Sequence, residues 1–230
     1  MIGNHKVLSV IPARGGSKEV PRKNLLDIGG KPLVAWSVEA SHAASLVDRT
    51  VLSSDDDEII NVARAAGCEV PFRRPDAISG DEARIEDALV HAIEHLDETF
   101  DYIVLLHPTS PFRTGEDIDN AIRRCHQSGA PSCNSVMEAH ESPYWMYRIA
   151  DSGRMEPLLD KDIISRRQDL PKIYWLNGGV HVARTDWFLE KRTFFDEHSV
   201  AYIMPRERSL DLDNQFDLYT IRGLIAQGIL

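Results

Sequence analysis

Short apolar runs that alternate with helical patterns restrict the fold of this chain more than any other feature of its sequence. Four such runs are each followed, after a short connection, by a segment with helical spacing, and they cover residues 6–12, 50–53, 69–72 and 102–106. A continuous apolar run such as the first is typical of a strand that is buried on both faces. Four strand-then-helix units in a row predict an α/β fold with a doubly wound, mostly parallel sheet. Ligands of such a sheet bind beyond the carboxyl ends of its strands.

The pattern changes after about residue 137. The segment 138–176 has no clean period and contains an aromatic patch at residues 143–147. We expect it to leave the core, either as a small dimerisation arm that also borders the site or as an irregular surface subdomain. Regular patterns resume with strands predicted at residues 178–183 and 201–204 and a helix at about residues 214–226. The length of 230 residues therefore predicts a single domain, 1–230, with this excursion.

The charge balance limits the partners of the chain. Asp and Glu number 36 against 26 Lys and Arg, so neither nucleic acid nor an anionic membrane is expected to bind. The three cysteines form no C-x-x-C pair, which argues against a disulfide framework and a zinc site. No stretch approaches the ~18 apolar residues of a membrane helix. We therefore expect a soluble, cytoplasmic protein in which any polyanion binds in a local basic pocket.

One loop concentrates positive charge in this acidic chain. Directly after the first predicted strand, residues 13–24 contain two adjacent glycines and four cations, at positions 14, 18, 22 and 23. Backbone N–H groups of a glycine turn can approach an anion, and Lys or Arg can neutralise it. The spacing is neither a Walker A motif nor G-x-G-x-x-G. We interpret the loop as a cradle for a triphosphate, with a solvated basic loop as the alternative.

A pair of acidic residues near the carboxyl end has the spacing of a metal site. Asp211 and Asp213 stand two residues apart, so on an extended segment both carboxylates face one way while Leu210 and Leu212 pack the other way. Such a pair can hold Mg²⁺ together with substrate phosphates and water. Asp213 also precedes the last predicted helix and would serve as its N-cap. The acidic residues 55–57 are more conspicuous, but acids in a first helical turn compensate the macrodipole, and that structural interpretation is preferred there.

Motifs spread along nearly the whole chain resemble those of one enzyme family. They are Ile11-Pro12-Ala13-Arg14-Gly15-Gly16-Ser17-Lys18, Pro21-Arg22-Lys23-Asn24, Gly30-Lys31-Pro32-Leu33, Arg74-Pro75, Pro108-Thr109-Ser110-Pro111-Phe112-Arg113, Arg167-Gln168-Asp169-Leu170-Pro171, Asn177-Gly178 and Leu210-Asp211-Leu212-Asp213. This set is similar to that of the acylneuraminate cytidylyltransferases, the CMP-sialic acid synthetases. The resemblance implies a Rossmann-like nucleotidyltransferase architecture. Kdo-type cytidylyltransferases share the architecture, but their first loop typically lacks this longer form.

The resemblance implies roles for individual residues. The residues it assigns to CTP are Ala13, Arg14, Gly15, Ser17, Lys18, Lys23, Asn24 and Arg74, the last for the cytosine. The residues it assigns to the sugar acid are His107, Thr109, Ser110, Arg167, Trp175 and Asn177. It assigns catalysis to Arg14, Lys23 and Asp211, and Mg²⁺ to Asp211 and Asp213. A planar guanidinium such as that of Arg167 can clamp a carboxylate, although a solvated surface pair with Arg166 is the alternative.

Two positions depart from the family pattern in the implied sugar pocket. His107 stands where the sialic acid enzymes usually carry Gln, and Trp175 stands where Arg is frequent. An imidazole and an indole donate hydrogen bonds and stack on sugars, but they do not copy an amide or a guanidinium. The acceptor is therefore expected among N-acetylneuraminic acid and its relatives, with the departures pointing to a legionaminic, pseudaminic or deaminated neuraminic acid.

The expected reaction joins CMP from CTP to a 2-keto sugar acid. Its anomeric hydroxyl would attack the α-phosphorus in line with departing pyrophosphate, with Mg²⁺ and the basic loop stabilising the charge. No residue identifies itself as the general base: Asp211 is a candidate, and a metal-bound hydroxyl that needs no base is the alternative. The resemblance also implies a homodimer. Two alternatives stay open: a glycosyltransferase-like enzyme that uses a nucleotide sugar, and a nucleotide-binding protein without turnover.

Overall fold

The computed structural model describes residues 1–160, 164 and 166–229. Its strands, in chain order, are β1 (Val7–Pro12), β2 (Asp27–Ile28), β3 (Lys31–Pro32), β4 (Arg49–Ser53), β5 (Tyr102–Leu105), β6 (Ser132–Glu138), β7 (Tyr147–Ile149), β8 (Met155–Pro157), β9 (Tyr174–Arg184) and β10 (Val200–Ile203). Its α-helices are α1 (Leu33–Ala43), α2 (Asp57–Ala65), α3 (Ile85–Glu94), α4 (Gly115–Ser128), α5 (Thr185–Lys191) and α6 (Gln215–Ala226). Among these described residues, no helix combines the length and the apolar character needed to cross a bilayer.

Six strands form the central sheet in the order β10-β6-β9-β5-β1-β4. Five of them are parallel, and β9 runs antiparallel to both of its neighbours. The carboxyl ends of β1, β4, β5, β6 and β10 therefore share one edge, where β9 begins. The prediction of a mostly parallel α/β sheet is confirmed, and this edge is where its ligands are expected.

The side chains of β1 explain why helices cover both faces of the sheet. Val7 and Ile11 pack into the core beneath α1, α2 and α4, whereas Leu8 and Val10 pack into a second core beneath α3 and α5. All four are completely buried. Since successive residues of a strand point to opposite faces, a run with no polar alternation requires apolar cover on both sides.

The prediction of a strand at residues 69–72 is wrong. Only one ladder contact forms there, a parallel bridge between Val51 and Glu69, in which Leu52 N donates to Glu69 O at 2.9 Å. Pro71 has no N–H to continue the ladder, which gives a physical reason for the early end. The third predicted unit thus keeps its helix, α3, but not its strand.

The predicted excursion contains the small antiparallel hairpin of β7 and β8 and the helical turns Pro143–Trp145 and Arg167–Asp169. It exposes large apolar side chains, among them Ile149 and Met155, which are 66% and 63% exposed to solvent. Part of the predicted excursion, residues 161–163 and 165, lies outside the described residues. The dimerisation role of this segment stays a prediction.

Candidate active site

Three cavities lie side by side along the carboxyl edge of the sheet. Their volumes are about 660, 360 and 220 Å³, and we call them the wide, basic and narrow compartments. His107 and Asp213 line both the wide and the basic compartment. Pro12 and Arg14 line both the basic and the narrow compartment, and Ile85 lines both the narrow and the wide one. The compartments are therefore parts of one continuous cleft.

The loop of residues 13–24 forms a wall of the basic compartment because its backbone is tied down at two points. Gly15 N donates to Asp55 Oδ1 at 3.1 Å, and Asn24 Nδ2 donates to Arg14 O at 2.9 Å. A Cβ atom at Gly15 would lie 2.7 Å from Asp56 Oδ2, so this close approach requires glycine. Asn24 is buried and supports the loop from within.

The acidic start of α2 organises the same loop. Asp56 caps the helix by accepting hydrogen bonds from Glu58 N and Ile59 N, both at 3.0 Å. Its other oxygen accepts from Arg22 Nη1 at 2.7 Å, where Arg22 adopts a left-handed conformation with φ of 56°. Burial acts to raise the pKa of Asp56, but the hydrogen bonds from Ile59 and Arg22 outweigh it and hold that pKa below its usual value. The structural interpretation is confirmed for Asp56 and Asp57, which lie at the start of the helix, whereas Asp55 precedes the cap and holds Gly15 N.

Two of the predicted nucleotide ligands meet at one acidic side chain. Lys18 Nζ lies 2.7 Å from Asp81 Oδ2, and Arg14 Nη1 lies 3.1 Å from Asp81 Oδ1. The hydrogen bond from Lys18 lowers the pKa of Asp81, so its carboxylate is ionised at neutral pH. All three side chains are at least a third exposed, and ion pairs of that kind are weak. A phosphate that enters the basic compartment would compete with Asp81 for both cations.

Lys23 spans the cleft between the basic loop and the segment before α6. Its side chain is only 15% exposed, and its Nζ donates to Leu212 O at 2.8 Å and lies 3.3 Å from Asp213 Oδ1. The fold therefore brings a predicted catalytic cation next to a predicted metal ligand, although the two are 190 positions apart in the chain.

The remaining predicted nucleotide ligands occupy different places. Ser17 lines the basic compartment. Ala13 is buried, and its N–H already donates to Ser53 O at 2.9 Å, so it has no free donor for a ligand. Its predicted contact with the nucleotide stays a prediction.

Arg74 is buried beside the narrow compartment, which it lines. Its Nε donates to Ser79 Oγ at 3.1 Å, and its Nη2 lies 3.4 Å from Asp55 Oδ1. Burial lowers the pKa of Arg74, and Asp55 counteracts that effect. These two partners orient the guanidinium in a small, polar recess, as a residue that recognises the edge of a base requires.

The acidic pair Asp211 and Asp213 lines the wide compartment from the connection between β10 and α6. Leu212 is completely buried between them, and its N–H donates to Thr109 O at 2.8 Å. Leu210 is half-buried and lines the same compartment as the two carboxylates, so the predicted alternation is confirmed for Leu212 alone, in a segment that is not a strand. Asp211 Oδ1 accepts from Ser110 Oγ at 3.2 Å. Burial, followed by the charge of Asp213, raises the pKa of Asp211, whereas the hydrogen bonds with Thr109 and Ser110 lower it.

Asp213 does not cap the last helix, so that alternative is wrong. Asn214 is the N-cap of α6, and its Oδ1 accepts from Phe216 N at 2.8 Å and from Asp217 N at 3.1 Å. Asp217 completes a capping box by accepting from Asn214 N at 2.9 Å. The carboxylate of Asp213 is 70% exposed and faces the cleft instead.

The chemistry of the acidic pair fits a divalent cation. Burial and, after it, the negative charge of Asp213 raise the pKa of Asp211, and a bound cation would offset both effects. Within the described residues, no three or more His, Cys, Asp or Glu side chains are grouped as a metal site. An ion held by this pair would therefore take its other ligands from phosphate oxygens and water, as Mg²⁺ usually does.

A bulge in β9 shapes the floor of the wide compartment. The register with β6 shifts there, and Gly178 adopts a φ of 67°. Asn177 is buried: its Oδ1 accepts from Ser135 Oγ at 2.6 Å and from Gly179 N at 3.2 Å, and its Nδ2 donates to Ser209 Oγ at 2.7 Å. These bonds occupy the amide, so the direct sugar contact predicted for Asn177 stays a prediction, and the observed bonds position the bulge.

Arg113 is a buried cation that the sequence interpretation left without a role. Its Nε donates to Gly179 O at 2.6 Å, its Nη1 to Ser110 O at 2.8 Å, and its Nη2 to His107 O. Both Nη atoms also donate to Ser37 Oγ. Burial lowers the pKa of Arg113 to about 9, because all of these acceptors are uncharged. The guanidinium thus joins the loop after β5 to the bulge of β9.

Four predicted sugar-binding residues line the cleft, namely Asn177 in the wide compartment and the three that follow. His107 stands where the basic and wide compartments meet, and burial, aided by the charge of Arg113, lowers its pKa to about 4. The imidazole is therefore neutral at physiological pH. Trp175, 57% exposed at the start of β9, lines the wide compartment, and Thr109 lines the basic one. Ser110 is completely buried and holds Asp211 in place.

Arg167 lies apart from the cleft of its own chain. It begins the exposed turn Arg167–Asp169, its Nη2 donates to His140 O at 2.6 Å, and it lines none of the three compartments. Its predicted role in sugar recognition stays a prediction.

The structure adds residues to the wide compartment that sequence patterns did not identify. Among them are His181, Phe194, Phe195 and Arg206. No local spacing marks them, because they come from β9, the connection to β10 and the turn Arg206–Arg208. Arg206 is the one cation that lines this compartment within the described part of the chain, against four acidic side chains.

Comparisons with known proteins show which family the sequence resembles. A family model described as cytidylyltransferase matches residues 8–175. A pseudaminic acid cytidylyltransferase of Campylobacter jejuni is 34% identical over 216 residues, which are 93% of each chain. A CMP-N,N'-diacetyllegionaminic acid synthase of Legionella pneumophila is 32% identical over 92% of this chain and 93% of that protein. An N-acylneuraminate cytidylyltransferase of Streptococcus agalactiae is 29% identical over 95% of this chain but 53% of its own length.

Solved structures show the same fold. The structure of CMP:2-keto-3-deoxy-manno-octonic acid synthetase complexed with CTP superposes with a TM-score of 0.74 at 17% identity, covering 97% of this chain and 99% of that one. A 4-diphosphocytidyl-2C-methyl-D-erythritol synthase of Anaerococcus prevotii superposes with a TM-score of 0.67 at 11% identity, covering 96% of each chain.

Proposed function

The chain belongs to the cytidylyltransferase family, and we propose that it transfers CMP from CTP to the anomeric hydroxyl of a sialic-acid-like 2-keto sugar acid, releasing pyrophosphate. The observation that carries the proposal is the continuous cleft, in which a basic compartment adjoins a narrow one at Arg14 and a wide one at His107 and Asp213. We assign the triphosphate to the basic compartment, the cytosine to the narrow one and the sugar acid to the wide one. The α-phosphorus would then lie near the junction at His107 and Asp213.

The reaction requires one bond to form and one to break. The anomeric oxygen forms a bond to the α-phosphorus of CTP, while the bond from that phosphorus to the bridging oxygen of the β-phosphate breaks, and pyrophosphate leaves with the electron pair. The proton of the anomeric hydroxyl passes to a base. Asp211 is our candidate, because burial and Asp213 raise its pKa and so its proton affinity.

Fixed cations stabilise the charge that moves to pyrophosphate. Lys23 is largely buried at the junction of the cleft, and Arg14 lies between the basic and narrow compartments. Preorganised charges of this kind act on the transition state without further reorganisation. We infer that Lys18 and Arg14 exchange Asp81 for phosphate oxygens when CTP binds.

We propose Mg²⁺ as the cofactor, held by Asp211 and Asp213. When bound, it would neutralise phosphate oxygens and orient the triphosphate. The pair supplies carboxylate oxygens, which suit Mg²⁺, and the charge repulsion within the pair favours a cation.

For the acceptor we propose a pseudaminic, legionaminic or related sialic-type acid. Two relatives at 34% and 32% identity carry the names of pseudaminic and diacetyllegionaminic acid enzymes. The neutral His107 and the exposed Trp175 offer a stacking and hydrogen-bonding surface rather than a charged one. We further propose a homodimer formed through the apolar excursion. In it Arg167, which lies outside its own cleft, would approach the cleft of the second subunit.

The decisive experiment measures pyrophosphate release with CTP, Mg²⁺ and a panel of 2-keto sugar acids. We expect turnover with at least one acid and its loss in Lys23→Ala and in Asp211→Ala, both of which should stay folded. Lys191→Ala, an exposed side chain on α5, is the matched control and should be fully active.

Normal turnover in both cleft variants would show that the site is assigned wrongly. Faster reaction with UTP or ATP than with CTP would contradict the cytosine assignment. The same assay tests the two alternatives: turnover of a CDP- or UDP-sugar would indicate a glycosyltransferase-like enzyme, and CTP binding without pyrophosphate from any acid would indicate a binding protein.

A further inference from the structure

The imidazole of His181 faces the wide compartment with one nitrogen already engaged. His181 lies on β9, is 5% exposed and lines the compartment. Its Nδ1 lies 2.8 Å from Asn134 Oδ1 on β6. The rings of Phe194 and Phe195 have their centroids 5.8 and 5.7 Å from that of His181, so its surroundings are largely apolar.

The hydrogen-bond network determines which nitrogen of His181 carries the proton. The carbonyl oxygen of Phe194 can only accept, so the Asn134 atom that lies 2.7 Å from it is the Nδ2 donor. The other atom of the amide, Oδ1, therefore faces His181 and can only accept. It follows that Nδ1 of His181 carries the hydrogen, and that Nε2 of the neutral ring presents a lone pair.

The ring stays neutral at physiological pH. Burial, together with the neighbouring His107 and Arg113, lowers the pKa of His181 to about 3. His107 itself is neutral and packs edge-on at a centroid distance of 5.6 Å. Nε2 has no hydrogen-bond partner among the described residues, yet it is not one of the polar atoms that the fold seals from solvent. It is an acceptor open to the compartment.

Building on the proposed function, we propose that His181 Nε2 is a specificity-determining acceptor that binds a hydroxyl or amide N–H group of the sugar acid and cannot bind its carboxylate. An ionised carboxylate has only lone pairs, so it would face the Nε2 lone pair without a hydrogen bond. A sugar acid with a donor at this position satisfies the buried acceptor, whereas one without it leaves the acceptor unpaired in an apolar setting. The carboxylate must then lie toward a cation, and Arg206 is the cation that lines this compartment in the described chain.

The first test uses two variants and two substrates. With the accepted sugar acid, His181→Phe keeps a ring but removes the acceptor and should raise the KM for the acid about tenfold or more, while the KM for CTP stays unchanged. His181→Gln keeps an acceptor oxygen and should recover most of that loss. The second substrate is an analogue of the sugar acid in which one hydroxyl group is removed or O-methylated. In wild type each such analogue should have a higher KM than the parent acid. In His181→Phe this difference in KM should disappear for one analogue, the one that lacks the hydroxyl bound by His181.

The second test does not depend on turnover. ¹⁵N NMR of labelled imidazoles in the intact protein should show His181 as the neutral form with hydrogen on Nδ1, and saturating sugar acid should shift its Nε2 resonance while the ring stays neutral. A proton on Nε2, a charged ring or an unchanged KM in His181→Phe would overturn the inference. Failure of every sugar acid in wild type would instead refute the proposed function, so the two outcomes are distinguishable.

Discussion

Mild acid should destabilise the protein through the buried imidazole of His181. The folded environment lowers the pKa of this side chain from 6.5 to about 3, chiefly by burial. In the unfolded chain the imidazole regains its ordinary pKa. Below about pH 6.5 the unfolded state therefore binds a proton that the folded state does not, and protonation favours unfolding.

The sign and the size follow from this difference in pKa. Since the folded pKa is the lower one, the stability is fully present above about pH 6.5 and falls as the pH approaches the folded value. Between about pH 8 and pH 5 the linkage relation gives a loss of about 2 kcal/mol for this one side chain. In a domain of this size that corresponds to roughly 4–8 °C in Tm. His107, whose pKa falls to about 4, acts in the same direction.

Urea unfolding at about pH 8 and at about pH 5 measures the effect. The pH-dependent loss of unfolding free energy should be about 2 kcal/mol smaller in His181→Gln than in wild type, because glutamine does not titrate. His198→Gln is the matched control, since that imidazole is 73% exposed, and its pH dependence should match wild type.

The experiment compares how the free energy of unfolding changes with pH in each protein. A loss of stability that is the same at both pH values therefore does not affect the result. Parallel pH curves for wild type and His181→Gln would refute the reasoning, because they would mean that the buried ring is protonated as readily as an exposed one.

Four further variants test local packing and hydrogen bonding by urea unfolding. Gly115→Ala should lower the free energy of unfolding by roughly 2 kcal/mol or more, because the new Cβ would lie 2.5 Å from the backbone carbon of Ala43. Gly223→Ala should raise it by about 0.5–1 kcal/mol, because no atom lies within 4 Å of the new Cβ and alanine favours the helix. Equal effects of the two variants would contradict this reasoning. Asn214→Ala should cost about 1 kcal/mol by removing the cap of α6, and an unchanged midpoint would show that the capping box is not formed. Arg113→Met should lower the free energy of unfolding by roughly 3 kcal/mol, because three carbonyls, two of them in buried hydrogen bonds, lose their donor. An unchanged free energy of unfolding would show that the guanidinium does not hold the loop and the bulge together.

Local patterns were sufficient wherever one segment decides its own conformation. The run of β1 predicted a strand buried on both faces, because large apolar side chains point to both sides of it. The glycine and cation spacing of residues 13–24 predicted a loop against the cleft. The two-residue spacing of Asp211 and Asp213 predicted that both carboxylates face the same side.

Local patterns failed where a distant residue decides the outcome. The hydrogen bonds that hold the amide of Asn177 could not be inferred from local spacing, because one partner, Ser135, lies 42 positions earlier. Arg113 received no role, since its acceptor Gly179 lies 66 positions later. The strand predicted at residues 69–72 did not form, because its pairing depends on a partner strand and on Pro71 together.

The sequence by itself determined the α/β class, the basic loop, the acidic pair and the resemblance to one enzyme family, since each depends on residues that are neighbours in the chain. Only the tertiary structure decided that Lys23 meets Asp213 and that Arg113 joins two segments beneath the cleft. It also decided that His181 faces the wide compartment with an unprotonated Nε2. The reason is physical: burial and hydrogen-bond partners set the charge, tautomer and orientation of a side chain, and these partners come from strands and loops that are far apart in the chain.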